Sequence, residues 1–367
     1  MRGHAEIAGA GFAGLTVATA LARLGWSVRV HERAPEPRAD GAGIFLWENG
    51  LRVLAELGLE RTVLARSHSA AAWEDRDERG AQIGLRPFPL PGDLRMVTMI
   101  RQDLHAPLLE AARGAGVSVE TGSRVVGADP DGALLTDDGA RWPADVAIGA
   151  DGIGSHVRDS LGLLRERTQF EAIRIIRFTV PLSRAPGSSG QWRNYVDHWN
   201  LGARRRVLYV PCNADDLYLM LAAGSEDAPA VAHPLDAGVW CASFPLLEPV
   251  LRKLPAAPHT DRYDTVRVDA WSRGRGAIVG DAAHAMPPTI GQGAGTAMTN
   301  ALALAGALDR APDRDAIAAA LVAWEQSERA ETDATQATSV ARLETLFPRA
   351  GERRDSWGSQ PLRAASR

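Results

Sequence analysis

Residues 277–298 read AIVGDAAHAMPPTIGQGAGTAM, and this stretch decides the fold that we predict. The apolar run 277–279 predicts a buried strand, which Asp281 leaves at the carboxyl edge of a sheet. In open α/β sheets cofactors bind at that edge, where a carboxylate can accept hydrogen bonds from sugar-like hydroxyls. Gly291, Gly293 and Gly295 then let backbone N–H groups approach a planar ring or a phosphate at the start of a helix. The stretch therefore predicts half of a cofactor site.

A second glycine-rich loop, GAGFAG, lies near the beginning of the chain. It follows the apolar residues 5–8 and precedes an amphipathic helix and a second strand that ends at Glu32. In this dinucleotide-binding pattern Gly9 turns the chain, Gly11 admits the pyrophosphate, and Gly14 lets helix and strand pack closely, while the acid binds a ribose hydroxyl. The spacing predicts the other half of the same site.

A third motif, DVAIGADG, occupies residues 145–152 and is followed by Ser155 and Arg158. It ends an apolar strand on Asp151. Asp-Gly is also common turn chemistry, so Asp151 has an alternative interpretation as a strand-end turn residue. The order of the three motifs favours the functional interpretation.

In this order, the three motifs resemble those of the flavin-dependent aromatic hydroxylases, the p-hydroxybenzoate hydroxylase family. The resemblance covers nearly the whole chain. It implies FAD as the bound cofactor, and NADH or NADPH as a transient electron donor, since no second GxGxxG is present. It also implies O₂ as co-substrate and hydroxylation of an electron-rich ring through a flavin C4a-hydroperoxide.

The implied fold is α/β, with an α+β second layer: a Rossmann-like FAD-binding domain carries an inserted, mainly antiparallel β-sheet substrate domain. We assign 1–72, 96–167 and 264–346 to the FAD-binding domain, and 73–95 and 168–263 to the substrate domain. The second assignment agrees with the β-branched and aromatic strands after residue 168. Residues 351–367 are polar and arginine-rich, and we expect a disordered tail.

Within the family, the string GAGIFLWENGL at 41–51 resembles a subgroup that hydroxylates and opens 3-hydroxypyridine carboxylates. The string VLYVPCN at 207–213 supports the same subgroup. The resemblance implies a hydroxylated aromatic or N-heteroaromatic carboxylate or phenol as substrate, with ring opening as a further step. Gly295 and Asn300 depart from the broader family, where an asparagine and an acid are usual.

The substrate-facing residues follow from the same resemblance. They are Arg206, Tyr218, Arg177, Trp73, Phe45 and Pro288. Arg206 or Arg177 could hold a ring carboxylate in a bidentate fork. The alternatives are a solvated strand residue for Arg206 and core packing for Tyr218. Trp73 and Phe45 stand where the subgroup has tyrosines, which predicts a less polar pocket.

The cofactor-contacting positions implied by the family are more numerous. They are Gly9, Gly11, Phe12, Ala13, Gly14, Glu32, Arg33, Gly43, Arg101, Val126, Asp151, Gly280, Asp281, Pro288, Gly291, Gly293, Ala294 and Gly295. Arg101 has an alternative role as a surface helix residue. We interpret His284 as a structural residue near the isoalloxazine ring. Pro287 and Pro288 are expected to shape the turn beside that ring.

Composition excludes several other function classes. The 367 residues carry a formal charge of −4, which does not favour nucleic acid or an anionic membrane as partner. No stretch predicts a signal peptide or a membrane span, so we expect a cytoplasmic protein. Cys212 and Cys241 lack metal-ligand spacing, and we predict no metal site. The oligomeric state is open, with a homo-oligomer among the possibilities.

Two alternatives remain open at this point. One is a flavoenzyme of another class on the same fold: an epoxidase, a halogenase or a reductase. Halogenases need a catalytic lysine, and the single lysine here, Lys253, lies in a predicted polar helix. The other alternative is a flavin-binding sensor without enzymatic activity.

Overall fold

A computed structural model describes residues 2–37, 43–90, 92, 94–182, 193–254 and 259–345. Its strands are β1 (His4–Ala8), β2 (Ser27–Glu32), β3 (Gly43–Trp47), β4 (Ala72–Asp77), β5 (Gln82–Pro87), β6 (Met96–Ile100), β7 (Ser118–Thr121), β8 (Val125–Asp129), β9 (Ala133–Thr136), β10 (Arg141–Pro143), β11 (Val146–Gly149), β12 (Leu164–Pro181), β13 (Tyr195–Asn200), β14 (Arg205–Pro211), β15 (Asp216–Gly224), β16 (His259–Val268), β17 (Ser272–Arg273) and β18 (Gly276–Ile278).

The α-helices within the same ranges follow a similar alternation with the strands. They are α1 (Phe12–Arg23), α2 (Glu48–Glu56), α3 (Glu60–Leu64), α4 (Arg101–Gly114), α5 (His156–Ser160), α6 (Ala237–Ser243), α7 (Glu248–Leu251), α8 (Asp281–His284), α9 (Gly293–Asp309) and α10 (Ile317–Thr345). Short 3-10 turns occupy Pro245–Leu247 and Pro288–Ile290. The tail 351–367, for which we predict disorder, lies outside the described residues.

The first large sheet has the strand order β17-β18-β11-β1-β2-β7 among the described strands. β1 pairs in parallel with both β2 and β11, and β11 pairs in parallel with β18. Ala5, Ile7 and Ala8 of β1 are fully buried, because β1 is in contact with α1 and with β9 of the three-stranded sheet β10-β9-β8. The carboxyl ends of these four strands therefore meet at one edge, where the chain reverses its direction across the sheet.

The second large sheet has the described order β16-β12-β15-β14-β13-β4-β5 and is antiparallel except for the β13–β4 pair. Successive residues of a strand face opposite sides, so β14 has two different faces. Val207 and Tyr209 pack with Trp240 of α6 in one apolar cluster. Leu208 and Val210 belong to a second cluster on the opposite face, which is turned toward the parallel sheet.

The longest helix, α10, connects the two sheets. Gln336 Nε2 donates to the carbonyls of Val266 (2.8 Å) and Ala285 (2.9 Å), so α10 is fastened to β16 and to the segment after α8. Thr289 Oγ1 donates to the Ser339 carbonyl at 2.6 Å. The helix thereby fixes residues 285–290, which our sequence analysis places beside the cofactor.

Several boundaries differ from our predictions by a few residues. The strand expected at 277–279 is Gly276–Ile278, and the helix expected at the glycines 291–295 begins at Gly293. β12 and β16 are long strands that cross the proposed domain boundaries at 167/168 and 263/264. The two-domain division thus remains a proposal, because both strands belong to the antiparallel sheet and extend into segments assigned to the FAD-binding domain. Within the described ranges, none of the helices combines the length and apolar character that a membrane crossing requires.

Candidate active site

A cavity of about 780 Å³ lies between the carboxyl edge of the parallel sheet and the inner face of the antiparallel sheet. Its size is in the usual range for cofactor and ligand sites. From the predicted cofactor set it is lined by Gly9, Gly11, Phe12, Ala13, Glu32, Arg33, Gly43, Arg101, Asp151, Asp281, Pro288, Gly291, Gly293 and Ala294. From the predicted substrate set it is lined by Phe45, Trp73, Arg177, Arg206 and Tyr218, besides Pro288. The fold thus brings most of the predicted residues into one cavity.

The first glycine-rich loop is shaped by close backbone contacts. A Cβ on Gly9 would lie 2.4 Å from the Ala150 carbonyl oxygen, and Gly9 has a φ of +98° that favours glycine. A Cβ on Gly14 would lie 2.0 Å from the Gly9 carbonyl oxygen. A Cβ on Gly11, by contrast, would meet no described atom within 4 Å, because Gly11 opens onto the cavity. The loop therefore leaves room for a pyrophosphate at the N-terminus of α1.

Glu32 ends β2 beside this loop. Its Oε2 accepts from the Ala10 N–H (3.0 Å) and its Oε1 accepts from the Ala34 N–H (2.9 Å). Each carboxylate oxygen has further acceptor capacity, and the side chain lines the cavity. The position matches that of an acid that binds a ribose hydroxyl.

Asp151 lies in front of α5 and faces the cavity. It lines the cavity, and its carboxylate accepts from Ser155 Oγ (2.5 Å) and from the N–H groups of His156 (2.8 Å) and Val157 (3.2 Å). Burial raises the pKa of Asp151, although these hydrogen bonds oppose the shift. The residue therefore caps α5 while it faces the site.

Asp281 faces the cavity at the start of α8. Burial raises the pKa of this carboxyl group, and the positive charge of Arg101 opposes the increase. No described protein group donates a hydrogen bond to its carboxylate, so its acceptors are directed to the cavity. A ligand with hydroxyl groups, such as the ribityl chain of FAD, would satisfy them. Arg101 lies with its guanidinium carbon 4.9 Å from the centre of the Phe12 ring, on the other side of the loop.

Four predicted cofactor residues do not line the cavity. The Val126 side chain is 42% exposed and points outward, because its neighbour Val125 takes the inward position on β8. Gly14 and Gly280 act through packing, and a Cβ on Gly280 would lie 2.9 Å from Ala13 Cβ. A Cβ on Gly295 would lie 2.5 Å from Asn49 Oδ1, so this glycine makes room for α2. The Val126 side chain therefore does not line the cavity, and its contact with the cofactor stays a prediction.

The substrate side of the cavity is built by the inner face of the antiparallel sheet. Tyr218 and Met220 of β15 face the cavity with Arg206 and Leu208 of β14. Phe45 and Trp73 add two aromatic rings whose centres are 5.9 Å apart. A Cβ on Gly43 would lie 2.7 Å from Tyr218 Cβ, so β3 can press closely on this sheet. The wall is aromatic and aliphatic, as the tyrosine replacements predict.

Arg206 differs from both of its predicted descriptions. It is buried and is not a solvated strand residue. Its Nε and Nη2 donate to Asp197 Oδ1 (2.6 Å) and Oδ2 (2.7 Å). The Nε/Nη2 edge of the guanidinium is therefore bound to Asp197, and only the Nη1 side is left for a ligand.

The contacts of His284 fit the structural role that we predict for it from the sequence. Asn300 Nδ2 donates to His284 Nε2 (3.2 Å) and to Thr332 Oγ1 (2.9 Å). Because Nε2 accepts, the ring is neutral, and burial lowers the pKa of His284 to about 4. The side chain does not line the cavity, so it is not placed to exchange a proton with a ligand that binds there.

Several cavity residues were missed by the sequence analysis. Leu208 and Met220 lie two positions from Arg206 and Tyr218, so the alternation of strand residues could have found them. Tyr263 and Met286 also line the cavity. Asp197 had no such signal, because its contact with Arg206 depends on how β13 pairs with β14. The described residues contain no group of His, Cys, Asp and Glu side chains that could hold a metal ion.

The fold and the cavity define a flavoprotein of the aromatic hydroxylase type. Residues 4–216 and 255–338 match the model of the FAD binding domain family, and the chain belongs to this family of FAD-dependent monooxygenases. The enzyme is thus a FAD-dependent aromatic monooxygenase that draws electrons from NAD(P)H. The open Gly11 loop, the Glu32 carboxylate and the unsatisfied Asp281 carboxylate fit FAD.

The similar proteins support this class and differ in substrate. The chain is 40% identical over 343 residues to a 2-heptyl-3-hydroxy-4(1H)-quinolone synthase of Mycobacteroides abscessus, covering 92% of this chain and 89% of that protein. It is 35% identical to a 3-amino-4-hydroxybenzoate 2-monooxygenase of Streptomyces cremeus, covering 83% and 78%. The solved tetrameric form of 2-methyl-3-hydroxypyridine-5-carboxylic acid oxygenase superposes with a TM-score of 0.88 at 43% identity, covering 94% of this chain and 92% of that one. The subgroup resemblance of the sequence is therefore confirmed.

Proposed function

We propose that this enzyme hydroxylates an uncharged, oxygenated N-heteroaromatic ring of the 4(1H)-quinolone kind. The observation that carries the proposal is the Arg206–Asp197 pair at the cavity wall. The pair removes the net positive charge that a ring carboxylate would need, and it leaves a donor for a ring oxygen. The similarity to a 2-heptyl-3-hydroxy-4(1H)-quinolone synthase supports the same ring class.

The cofactor roles of the cavity residues form part of the proposal. Gly9, Gly11 and the N–H groups at the start of α1 would bind the pyrophosphate, and Glu32 would bind the adenosine ribose. Asp281 would accept from the ribityl hydroxyls, and Arg101 would neutralise nearby negative charge. Pro288, Gly291, Gly293 and Ala294 would lie against the isoalloxazine ring. When bound, FAD supplies the activation of O₂ with electrons from NAD(P)H.

The chain's own residues would orient the substrate and exclude water. Arg206 would donate to the ring oxo group, and Tyr218 would hydrogen-bond a second polar atom of the ring. Phe45, Trp73 and Leu208 would enclose the ring plane. These apolar side chains would exclude water, so that the activated oxygen reacts with the substrate and is not lost to solvent.

A 3-hydroxypyridine carboxylate remains the second candidate substrate. Arg177 favours it, because this second arginine also lines the cavity from β12. The likeness to the pyridine carboxylate oxygenase supports it as well. Water-dependent ring opening would belong to this candidate. A homo-oligomer is part of the proposal, supported by the tetrameric form of that relative.

The test is aerobic incubation of the FAD-loaded protein with NADH or NADPH and two ring classes. The first is 2-heptyl-4(1H)-quinolone, the ring of the relative's product without its 3-hydroxyl group; the second is 2-methyl-3-hydroxypyridine-5-carboxylate. We expect the quinolone to accelerate NAD(P)H oxidation by about tenfold or more and to gain one oxygen atom from ¹⁸O₂. Turnover of the pyridine carboxylate alone, with a gain of one oxygen and one water, would select the second candidate. Turnover of neither would reject both ring classes.

A further inference from the structure

Two adjacent arginines of β14 form similar ion pairs on opposite faces of the sheet. Arg205 binds Asp227 through Nε–Oδ2 (2.6 Å) and Nη2–Oδ1 (2.9 Å), on the face away from the cavity. Arg206 binds Asp197 through Nε–Oδ1 (2.6 Å) and Nη2–Oδ2 (2.7 Å), on the cavity face. Only Arg206 of the two lines the cavity. The chain therefore contains a control pair with the same two-bond geometry, although Arg205 and Asp227 are only partly buried.

The cavity-side pair is held rigidly. The side chain of Arg206 is 4% exposed and that of Asp197 is 0% exposed. The Arg206 guanidinium carbon lies 4.8 Å from the centre of the Trp199 ring, which packs on its plane. Burial lowers the pKa of Arg206, but the charge and hydrogen bonds of Asp197 raise it by more, so the guanidinium stays charged. The pair as a unit has no net charge.

The pairing determines what Arg206 can offer to a ligand. Its Nη1 makes no hydrogen bond to a described residue, and the side chain reaches the cavity wall. A carboxylate binds best to two parallel guanidinium N–H groups and to an uncompensated positive charge. Here one two-nitrogen edge is occupied, and the Asp197 carboxylate repels a second anion close by. A neutral carbonyl or hydroxyl oxygen needs only one donor.

We propose that Asp197 is a specificity-determining residue: it neutralises Arg206 and so makes the cavity select an uncharged ring oxygen over a ring carboxylate. Asp197 acts through Arg206 and does not need to touch the substrate. This inference rests on the proposed function, because it concerns the ring that this site binds. It predicts that the charge preference of the cavity can be changed without altering a cavity-lining side chain.

The test compares two quinolones that differ in one group. 2-Methyl-4(1H)-quinolone carries a methyl group where 4(1H)-quinolone-2-carboxylate carries an anion. Their dissociation constants are measured by calorimetry on the FAD-loaded protein, in wild type and in Asp197→Asn. We expect Asp197→Asn to shift the affinity ratio toward the carboxylate by about tenfold or more. An unchanged ratio in a folded Asp197→Asn protein would overturn the proposal.

Asp227→Asn is the matched control. It also leaves an arginine of β14 without its aspartate, but on the face that does not reach the cavity. We expect the affinity ratio of this variant to equal that of wild type within about twofold. An equal shift in both variants would show a general loss of sheet order and would contradict a specific role of Asp197.

A second variant is needed if Asp197→Asn fails to fold, since this substitution leaves the charge of Arg206 buried and unpaired. Asp197→Asn/Arg206→Gln removes both charges at once. If Asp197 already neutralises Arg206, both ligands lose the same donor and their affinity ratio stays near the wild-type value. If instead the carboxylate loses about tenfold more affinity than the methyl compound, Arg206 acts as a free cation and the proposal fails.

Failure of this inference is distinguishable from failure of the proposed function. Turnover tests the proposed function, whereas the affinity ratio tests the role of Asp197. Binding of both quinolones without hydroxylation would reject the proposed function and still decide the role of Asp197. Wild-type protein that prefers the carboxylate, or that binds neither quinolone, would overturn the inference directly.

Discussion

At the scale of single residues, the two glycines of the first loop separate packing from binding. Gly14 has no room for a side chain, because a Cβ would overlap the Gly9 carbonyl oxygen. Gly11 has room in the protein, but the space belongs to the cavity. Gly14 is therefore needed for folding and Gly11 for ligand binding, and substitutions at the two positions can distinguish these roles.

We expect Gly14→Ala to destabilise the protein without FAD by about 1–3 kcal/mol, since α1 must move away from β1. Gly11→Ala should leave that stability within about 0.5 kcal/mol of wild type but weaken FAD binding by about tenfold or more. Urea unfolding of the apoprotein and titration with FAD measure the two effects. Equal losses of stability in both variants would contradict this assignment.

At the scale of elements, His284 joins α8 to α9 and, through Asn300 and Thr332, to α10. Burial keeps its ring neutral and lowers its pKa from 6.5 to about 4. The unfolded chain binds a proton on this residue at a higher pH than the folded chain does. Stability contributed by the neutral ring is therefore present above pH 6.5 and is lost as the pH falls toward 4.

For this reason we expect His284 to account for a loss of about 2 kcal/mol in the free energy of unfolding between pH 7 and pH 5. His284→Gln should reduce that pH-dependent loss, whatever its effect on stability at pH 7. His233→Gln, at an exposed position, serves as control. Urea unfolding at both pH values gives the comparison, and an equal pH-dependent loss in wild type and His284→Gln would refute the assignment.

Elements also show what sequence could and could not predict. The glycine loop, Glu32 and Asp281 were predictable because each lies at or just beyond the carboxyl end of a strand, so local spacing fixes its place at the sheet edge. The Asp197–Arg206 pair was not found, because Trp199 and not Asp197 is the direct cross-strand partner of Arg206. The side chain of Val126 points away from the cavity that Val125 lines, because neighbouring residues of a strand face opposite sides. Local motifs thus predict which residues reach the cavity better than they predict a contact between strands such as the Arg206–Asp197 pair.

At the scale of the whole molecule, the cavity is shared by the parallel sheet and the antiparallel sheet. A ligand that fills this cavity contacts both sheets and does not bind to the unfolded chain. We therefore expect FAD at a hundredfold excess over its dissociation constant to stabilise the protein by about 2.7 kcal/mol. Both sheets should then unfold in one transition. Tryptophan fluorescence and far-ultraviolet circular dichroism in urea provide the test. Midpoint urea concentrations that do not change when FAD is added would contradict the prediction.

The strand order of the parallel sheet has a consequence for synthesis of the protein. β18 comes late in the chain but pairs with β11, which pairs with the early strand β1. While a ribosome is still translating the codons between these strands, β11 has an unpaired edge that could associate with other chains. Asp281 also emerges only after β18. Completion of the parallel sheet and loading of the flavin must therefore wait until most of the polypeptide has left the ribosomal tunnel.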